Sequence, residues 1–409
     1  MTSLRDQFIK HPHFSSVETV YHKLSSAGYT VYLAGGCVRD AILGVPIGDF
    51  DVATDATPDQ IEELFDKTIP VGKQFGIIMI PFAWGSLEIA SFRSDGSYGD
   101  GRRPDSVTLS NPQEDAKRRD FTVNALFYDL KTEQVIDFVE GQKDIQNRIL
   151  KTVGNPEERF SEDHLRILRA LRFVGQLDFA LEKKTLEAVI HLKDKITTVS
   201  RERIREELTK TWKGQKREKS LKLMIENQIF DLLFPDLSWP SDFESKAKKI
   251  FSSFPEVDSF LNWLGFLTPL FLITELSAIQ KTLQSLKFPS KEEKIFLLAY
   301  DVLKNPQKVQ NLSWGEQCQI LSEKRIREAF HFALVIAPED FAFYTGLERK
   351  IKKQFGDDVQ LPEPFVSGAD LIQLGHKTGP KMGDLLKKLY EEQLSGKFTS
   401  KKQALESLS

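Results

Sequence analysis

The chain has 409 residues, 28% of them charged and 40% hydrophobic, with 30 Phe. That much apolar material buries a sizeable core, which excludes a wholly disordered chain, and the length predicts two or three domains. The 56 basic and 59 acidic residues leave a net charge of −3, which excludes a uniformly basic nucleic-acid coat but not a local basic stripe. Cys37 and Cys318 are too few for a disulfide framework or a structural zinc cluster. Met1 to Gln7 carry no apolar signal region, and no stretch reaches the roughly 18 uncharged apolar residues of a membrane span. Phe260 to Ile273 comes nearest, but Pro269 interrupts it and it reads as buried helix. A soluble, cytoplasmic protein without membrane contact is the expectation.

Along the chain, Val17 to Leu24 has helical spacing and stops at Gly28, and Tyr29 to Ala34 is a short β-rich run ending in Gly35-Gly36. Val38 to Leu43 is a second helix closed by Gly44, and Asp49 to Ala53 alternates like a half-buried strand. Thr57-Pro58-Asp59-Gln60 opens a helix with Thr as N-cap, Pro in the first turn and Gln placed for a capping box. Strand signals return at Gly76 to Phe82 and Leu87 to Phe92, and Ser94 to Pro104 reads as a loop. Beyond about residue 140 the pattern turns helical, as in Ser161 to Val174, Glu182 to Leu192 and Arg201 to Trp212. Gly356 to Pro364 resembles a connection, and Ser367 to Gly383 begins a separate C-terminal piece. An α+β head followed by an all-helical arm is predicted.

On a strand, Asp49 and Asp51 share one side while Phe50 and Val52 take the other. Two carboxylates held that close call for a positive charge between them, ordinarily a hard oxygen-ligated cation such as Mg²⁺, and such a pair suits an in-line phosphoryl displacement. Glu88 is the lone acid of its strand and would be a third ligand or the base for a hydroxyl. Taken alone, Asp-x-Asp reads more readily as an exposed strand face. The Gly35-Gly36 turn upstream shifts that balance, because its backbone can approach a phosphate at a helix N-terminus, with Arg39 on the first turn to pair with a triphosphate.

Leu33-Ala34-Gly35-Gly36-Cys37-Val38-Arg39-Asp40, with Gly48-Asp49-Phe50-Asp51-Val52-Ala53-Thr54, resembles the first motif of the class II tRNA nucleotidyltransferases, the superfamily of CCA-adding enzymes and bacterial poly(A) polymerases. Arg118 to Ala125 is similar to the family's hinge motif, and Glu162-Asp163-His164-Leu165-Arg166 with Arg169 and Arg172 to its nucleotide-selecting motif. The resemblance runs from about residue 15 to 240. It implies a polymerase-beta-like head with a mixed sheet (residues 1–140), then a helical neck (141–212), body (213–350) and tail (351–409). It implies addition of C, C and A to a tRNA 3′ end from CTP and ATP. Asp49 and Asp51 would hold Mg²⁺ and Glu88 would assist the hydroxyl. Gly35, Gly36, Arg39 and Arg119 would bind triphosphate, and Asp163, Arg166, Arg169 and Arg172 the nucleotide. The rival readings are an A-adding or poly(A) enzyme and a silent RNA-binding protein on the same scaffold.

Asp163, Arg166, Arg169 and Arg172 fall at three-residue steps, predicted to form one polar ridge of a helix whose other side is Leu165, Leu168, Leu171 and Val174. Cytosine and adenine both present an amino donor beside a ring-nitrogen acceptor. A carboxylate beside a guanidinium complements that edge and opposes the reversed edge of uracil and guanine. Without the head motifs the same spacing is a surface salt bridge. Arg118-Arg119-Asp120 by itself reads equally as a solvated turn, and His164 as a plain helix residue. Arg93 to Asp105 occupies the place of a loop that in the family helps the change from C to A. Arg201, Arg203, Arg205, Lys210, Lys213, Lys216 and Arg217 suggest an RNA-facing stripe. Residues 367–383 resemble the tail motif that holds the outer corner of tRNA, and seven Lys against three acids from Ile372 to Lys402 suit a phosphate surface.

Overall fold

The computed structural model describes residues 3–99, 101–102, 104–212, 214–235, 237, 241, 245, 275–336 and 338–408. The predicted helix Phe260 to Ile273, Arg103 of the loop and Lys213 of the stripe lie outside them. The chain divides into two compact units, Met1–Pro235 and Asp236–Ser409.

The first unit opens with helices α1 (Leu4–Ile9) and α2 (Phe14–Ser26), then strand β1 (Val31–Ala34), helix α3 (Gly36–Leu43) and strand β2 (Asp51–Thr54). Helix α4 (Pro58–Leu64) starts on the predicted capping box: Gln60 N–H donates to the Thr57 hydroxyl at 3.2 Å and Thr57 N–H to the Gln60 side chain at 2.9 Å. Strands β3 (Ile77–Phe82) and β4 (Gly85–Ser91) form a hairpin, and a second, short one pairs β5 (Arg93–Asp95) with β6 (Val107–Leu109), so Ser94 and Asp95 of the predicted loop lie on a strand. After α5 (Pro112–Arg118) come β7 (Leu126–Asp129) and β8 (Gln134–Asp137). The sheet order is β3-β4-β2-β1-β7-β8, antiparallel throughout except for β2 beside β4. The mixed sheet predicted for the head is therefore present.

Two details depart from expectation. β2 begins at Asp51, so Asp49 and Phe50 lead into the strand rather than belonging to it. The β7–β8 hairpin carries alternating Leu126, Tyr128 and Val135 signals that the motif-centred reading passed over. Beneath the sheet end that bears the acids, Ala34, Ala53, Ala116 and Ala125 pack with Phe92, Phe127 and Val153. Small side chains there let the elements close up under the cleft.

The helical part of this unit runs α6 (Gly141–Gln146), α7 (Pro156–Glu162), α8 (Leu165–Leu177), α9 (Lys183–Leu192), α10 (Arg201–Trp212), α11 (Arg217–Glu226) and α12 (Ile229–Leu233). A two-residue parallel pair, Ile149–Leu150 with Ala180–Leu181, survives among them. Leu165, Leu168, Leu171 and Val174 are buried, as the spacing requires. Helix α8 seats closely on α11: a Cβ on Gly175 would lie 2.4 Å from the Ser220 hydroxyl and 2.6 Å from the Lys216 carbonyl.

In the second unit the described elements are helices. A core of Val366, Leu371, Leu389, Phe398 and Ala404 organises its C-terminal end. The connection before it is strapped to helix Pro380–Leu394, whose Gln393 amide donates to the Glu363 carbonyl at 2.9 Å and whose Tyr390 hydroxyl donates to that of Pro362 at 2.8 Å. No described helix is long and apolar enough to cross a membrane.

Candidate active site

A cleft of about 700 Å³ in the first unit is lined by residues from both its sheet and its helices. It contains each of the candidate residues Gly35, Gly36, Arg39, Asp49, Asp51, Glu88, Arg119, Asp163, Arg166, Arg169 and Arg172.

β-Pairing builds the acidic wall. Asp51 opposes Ala34 on β1 and, in the parallel pair, Glu88 on β4, so the two carboxylates are neighbours on one face. Asp49 enters the same cleft from just before the strand. Crowding by the cleft walls raises the Asp51 carboxyl above the usual range; Arg119 opposes the rise and Asp49 adds to it. Solvent still reaches Asp51 from the open side of the cleft. Burial likewise raises Glu88, with Asp51 adding and Arg93, Arg119 and Arg118 opposing. None of the three acids makes an ion pair within the described residues. Nor is any described group of three His, Cys, Asp or Glu assembled that would hold a metal unaided.

Gly35 and Arg119 fit together. Gly35 has φ +75°, and a Cβ there would stand 2.9 Å from Arg119 Nη1 and 3.8 Å from Asp51 Oδ2. Only glycine gives both that backbone conformation and that approach. Arg119 is held by Asp115, with Nη2 3.0 Å from Oδ2, and donates from Nη1 to the Asn124 carbonyl at 3.2 Å. Asp115 is almost fully enclosed, yet the Arg119 and Arg118 charges outweigh burial and keep its carboxyl below the usual range. This arginine pair is therefore built into the cleft wall rather than lying in a solvated turn. Arg39 is 4% exposed, paired with Asp40 at 2.7 Å and bonded to the Asn124 side-chain oxygen, so it reaches the cleft as part of its wall.

The predicted ridge is broken at its first member. Helix α7 ends at Glu162 and α8 begins at Leu165, leaving Asp163 in extended conformation between them (φ −143°, ψ 105°). Its carboxylate accepts the Leu165 N–H at 3.1 Å, which caps the new helix. Asp163 also receives both arms of Arg203, at 3.1 and 2.7 Å. The capping offered by Asp163 competes with helix continuation, and three-residue spacing alone does not reveal that competition. Arg166 donates to the carbonyls of Arg159 and Arg118 at 3.0 and 3.2 Å and pairs with Glu162.

Arg169 and Arg172 belong to a buried network. Arg169 Nε donates to Asp120 Oδ2 at 2.8 Å, and Arg172 Nε to Glu207 Oε2 at 2.7 Å. Asp120 Oδ1 also accepts from Phe121 N–H at 2.8 Å and Asn124 Nδ2 at 3.2 Å. Burial would raise the Asp120 carboxyl, but Arg169 and Arg166 overcome it and hold the group at about 2. Asp115, Asp120, Asn124 and Glu207 are absent from the sequence-derived site, and Arg203 stands there only as a member of the RNA-facing stripe. Asp120 and Asn124 lie inside a quoted motif, whereas Glu207 gives only the signal of a mixed-charge helix. His164 is not a plain helix residue either: it stands at the start of α8 without a side-chain cap bond of its own, and its ring reaches Thr198 at 2.7 Å.

The proposed stripe is partly structural, since Arg201 donates to the Leu233 carbonyl at 3.1 Å while Arg203 holds Asp163. In the tail, Lys387, Lys397, Lys401 and Lys402 each lie near a carboxylate.

A model of the poly A polymerase head domain matches residues 31–151, and one of the probable RNA and SrmB-binding site of polymerase A matches residues 178–239. A CCA-adding enzyme of Lactobacillus delbrueckii subsp. bulgaricus is 32% identical over 397 residues, covering 96% of each chain. One of Enterococcus faecalis is 31% identical over 404 residues, covering 96% of this chain and 94% of the relative. The crystal structure of the Bacillus stearothermophilus CCA-adding enzyme in complex with CTP matches with a TM-score of 0.74 at 26% identity, covering 97% of this chain and 98% of that one. The acidic strand, the glycine turn and the break between α7 and α8 thus occur in a chain that, along nearly its whole length, belongs to the family of CCA-adding enzymes.

Proposed function

We propose that the 700 Å³ cleft is where this nucleotidyltransferase adds C, C and A to the 3′ end of tRNA from CTP and ATP, releasing pyrophosphate. The observation that carries the assignment is the meeting, in one cleft, of Asp49, Asp51 and Glu88 with Arg119 and with the Asp163–Arg166 turn. In this reading the incoming triphosphate lies against Arg118 and Arg119, over the Gly35-Gly36 turn at the start of α3. The base extends towards Asp163 and Arg166, where carboxylate and guanidinium take the amino donor and ring acceptor of cytosine or adenine. The 3′-hydroxyl oxygen attacks the α-phosphorus in line with the departing pyrophosphate. Glu88, raised by burial, accepts the hydroxyl proton.

The donor chemistry fits a divalent cation. Among the described residues Asp49 and Asp51 make no ion pair, share the cleft, and are too few to enclose an ion without substrate phosphates and water, which is the usual situation of Mg²⁺. Bound there, Mg²⁺ would supply charge stabilisation at the attacking and leaving oxygens.

The test is incorporation by purified protein on tRNAs ending at the discriminator base, after one C and after both, with each NTP in turn. Stepwise C, C and A addition is expected. Addition only to the last of these ends means an A-adding enzyme, and a long adenylate run on any RNA means a poly(A) polymerase.

A further inference from the structure

Asp163 stands between two helices, tied locally by the Arg166 N–H on its carbonyl at 2.9 Å and the Leu165 N–H on its carboxylate at 3.1 Å, and three further contacts come from elsewhere in the unit. Two are permanent parts of the packed unit: Arg203 of α10 on the carboxylate, and Thr198 on the neighbouring imidazole. The Thr198 hydroxyl already donates to the Lys195 carbonyl at 2.8 Å. It therefore receives the His164 Nδ1 proton, which fixes the ring's tautomer and orientation.

The third contact comes from the segment between β5 and β6. That segment is drawn into a hairpin by Gly96 N–H on the Ser106 carbonyl at 2.8 Å and Asp105 N–H on the Ser97 carbonyl at 2.7 Å. The Tyr98 hydroxyl donates back to Asp95 at 2.6 Å. Beyond Tyr98 the Gly101 carbonyl accepts the His164 backbone N–H at 3.2 Å. Gly101 has φ +64°, and a Cβ there would fall 2.5 Å from His164 Cε1 and 2.9 Å from Nδ1. The imidazole, held from behind by Thr198, leaves space for a glycine and for nothing larger.

We infer that His164 is a positioning residue: it docks the β5–β6 segment through Gly101 and so sets the placement of Asp163 against the incoming base. The inference rests on the base-reading assignment proposed above. His164 touches no reacting atom; it acts through its neighbour in sequence. The contact requires that two residues far apart in the chain match in size, which makes it testable by compensation.

The experiment uses full-length enzyme with Gly101→Ala, His164→Ala and the double variant, alongside Asp163→Ala. The readout is kcat/KM for CTP against UTP on tRNA lacking its end, with a melting curve for each variant. Gly101→Ala should lower the CTP/UTP ratio by about tenfold, as expected when a contacting pair is uncoupled. In the His164→Ala background the added methyl has room, so the same change should cost under about threefold, the residue of backbone strain. An equal cost in both backgrounds overturns the docking. So does a melting loss in which CTP and UTP fall in proportion. If Asp163→Ala itself leaves the ratio unchanged, the base-reading assignment fails and the inference with it. If Asp163→Ala relaxes the ratio while the Gly101 and His164 variants keep it, only the docking fails.

Discussion

Asp163→Ala separates base reading from structural support more sharply than any other substitution in the cleft. The wild-type carboxylate has four lone-pair positions; two are occupied by Arg203 and one is shared with the Leu165 N–H, so an acceptor remains for the exocyclic amino group of C or A. Removing it takes one charged hydrogen bond from the correct bases, about 1.5–3 kcal/mol, or roughly 10- to 100-fold in kcat/KM. It also removes the repulsion against the carbonyl of U and G, so discrimination narrows from both sides. The same change leaves Arg203 without its partner. That pair is only partly exposed, with side chains 23% and 16% accessible, so some melting temperature is lost as well. Arg203→Ala serves as the comparison: it breaks the same ion pair and lowers stability similarly, but it keeps the carboxylate and loses only one of its supports, so discrimination should relax less than in Asp163→Ala. Steady-state kcat/KM for each NTP on end-less tRNA, with a melting curve for both variants, gives the answer. An unchanged C/U ratio in Asp163→Ala, or equal relaxation in both variants, would refute the protein-template reasoning.

Asp49→Asn and Asp51→Asn should each abolish incorporation while leaving the melting temperature and tRNA binding near wild type, since neither acid is paired in the described structure; near-normal incorporation by either in Mg²⁺ removes the pair from the mechanism. Asp120→Asn should destabilise the protein at neutral pH by about 2 kcal/mol, the equivalent of a carboxyl moved from 3.8 to about 2. Because the folded value is the lower one, that contribution is complete above the unfolded value and fades as pH falls from 3.8 towards about 2; wild-type and variant denaturant midpoints that differ equally at pH 7 and pH 2.5 would contradict it. Lys377→Ala with Lys381→Ala should raise the KM for tRNA several-fold, flatten its salt dependence by about two counterions, and leave the KM for CTP alone; a KM for tRNA unchanged at moderate salt argues against the tail as an RNA surface.

The acidic strand was legible because its information is local. Alternation places Asp51 on the cleft side of a strand, and a glycine pair before a helix marks the turn that approaches it. The capping box at Thr57 was legible for the same reason. What sequence could not supply was partnership at long range. Arg166, Arg169 and Arg172 line the cleft, but the spacing does not reveal that their guanidinium groups are also held by Glu162, Asp120 and Glu207, the last two of these 49 and 35 residues from their partners. Whether a charged side chain faces solvent or a buried counter-charge depends on which helices pack together. Periodicity along one helix is silent on that. The break at Asp163 is a subtler failure: local and in principle readable, since Asp is a strong cap, but hidden by apolar spacing that continues through it.

The paired arginines bear on how the cleft works. Asn124 gives a hydrogen to Asp120 and takes one from Arg39, while Asp120 holds Arg169 and Asp115 holds Arg118 and Arg119. One continuous hydrogen-bonded network therefore ties the start of α3, the turn after α5 and the middle of α8. Arg39 lies against Asp40, Arg169 against Asp120, and Arg118 and Arg119 share Asp115, so the wall is densely basic with every one of these cations held against a carboxylate. Were these arginines unpaired, an approaching triphosphate would have to order them, at the cost of their side-chain entropy. Held as they are, they would offer fixed donors to the triphosphate of the proposed reaction. Among the described residues Asp49 and Asp51 make no ion pair, so under the proposed function the cleft combines arginines fixed in advance with carboxylates left open for a charge that would arrive with the nucleotide.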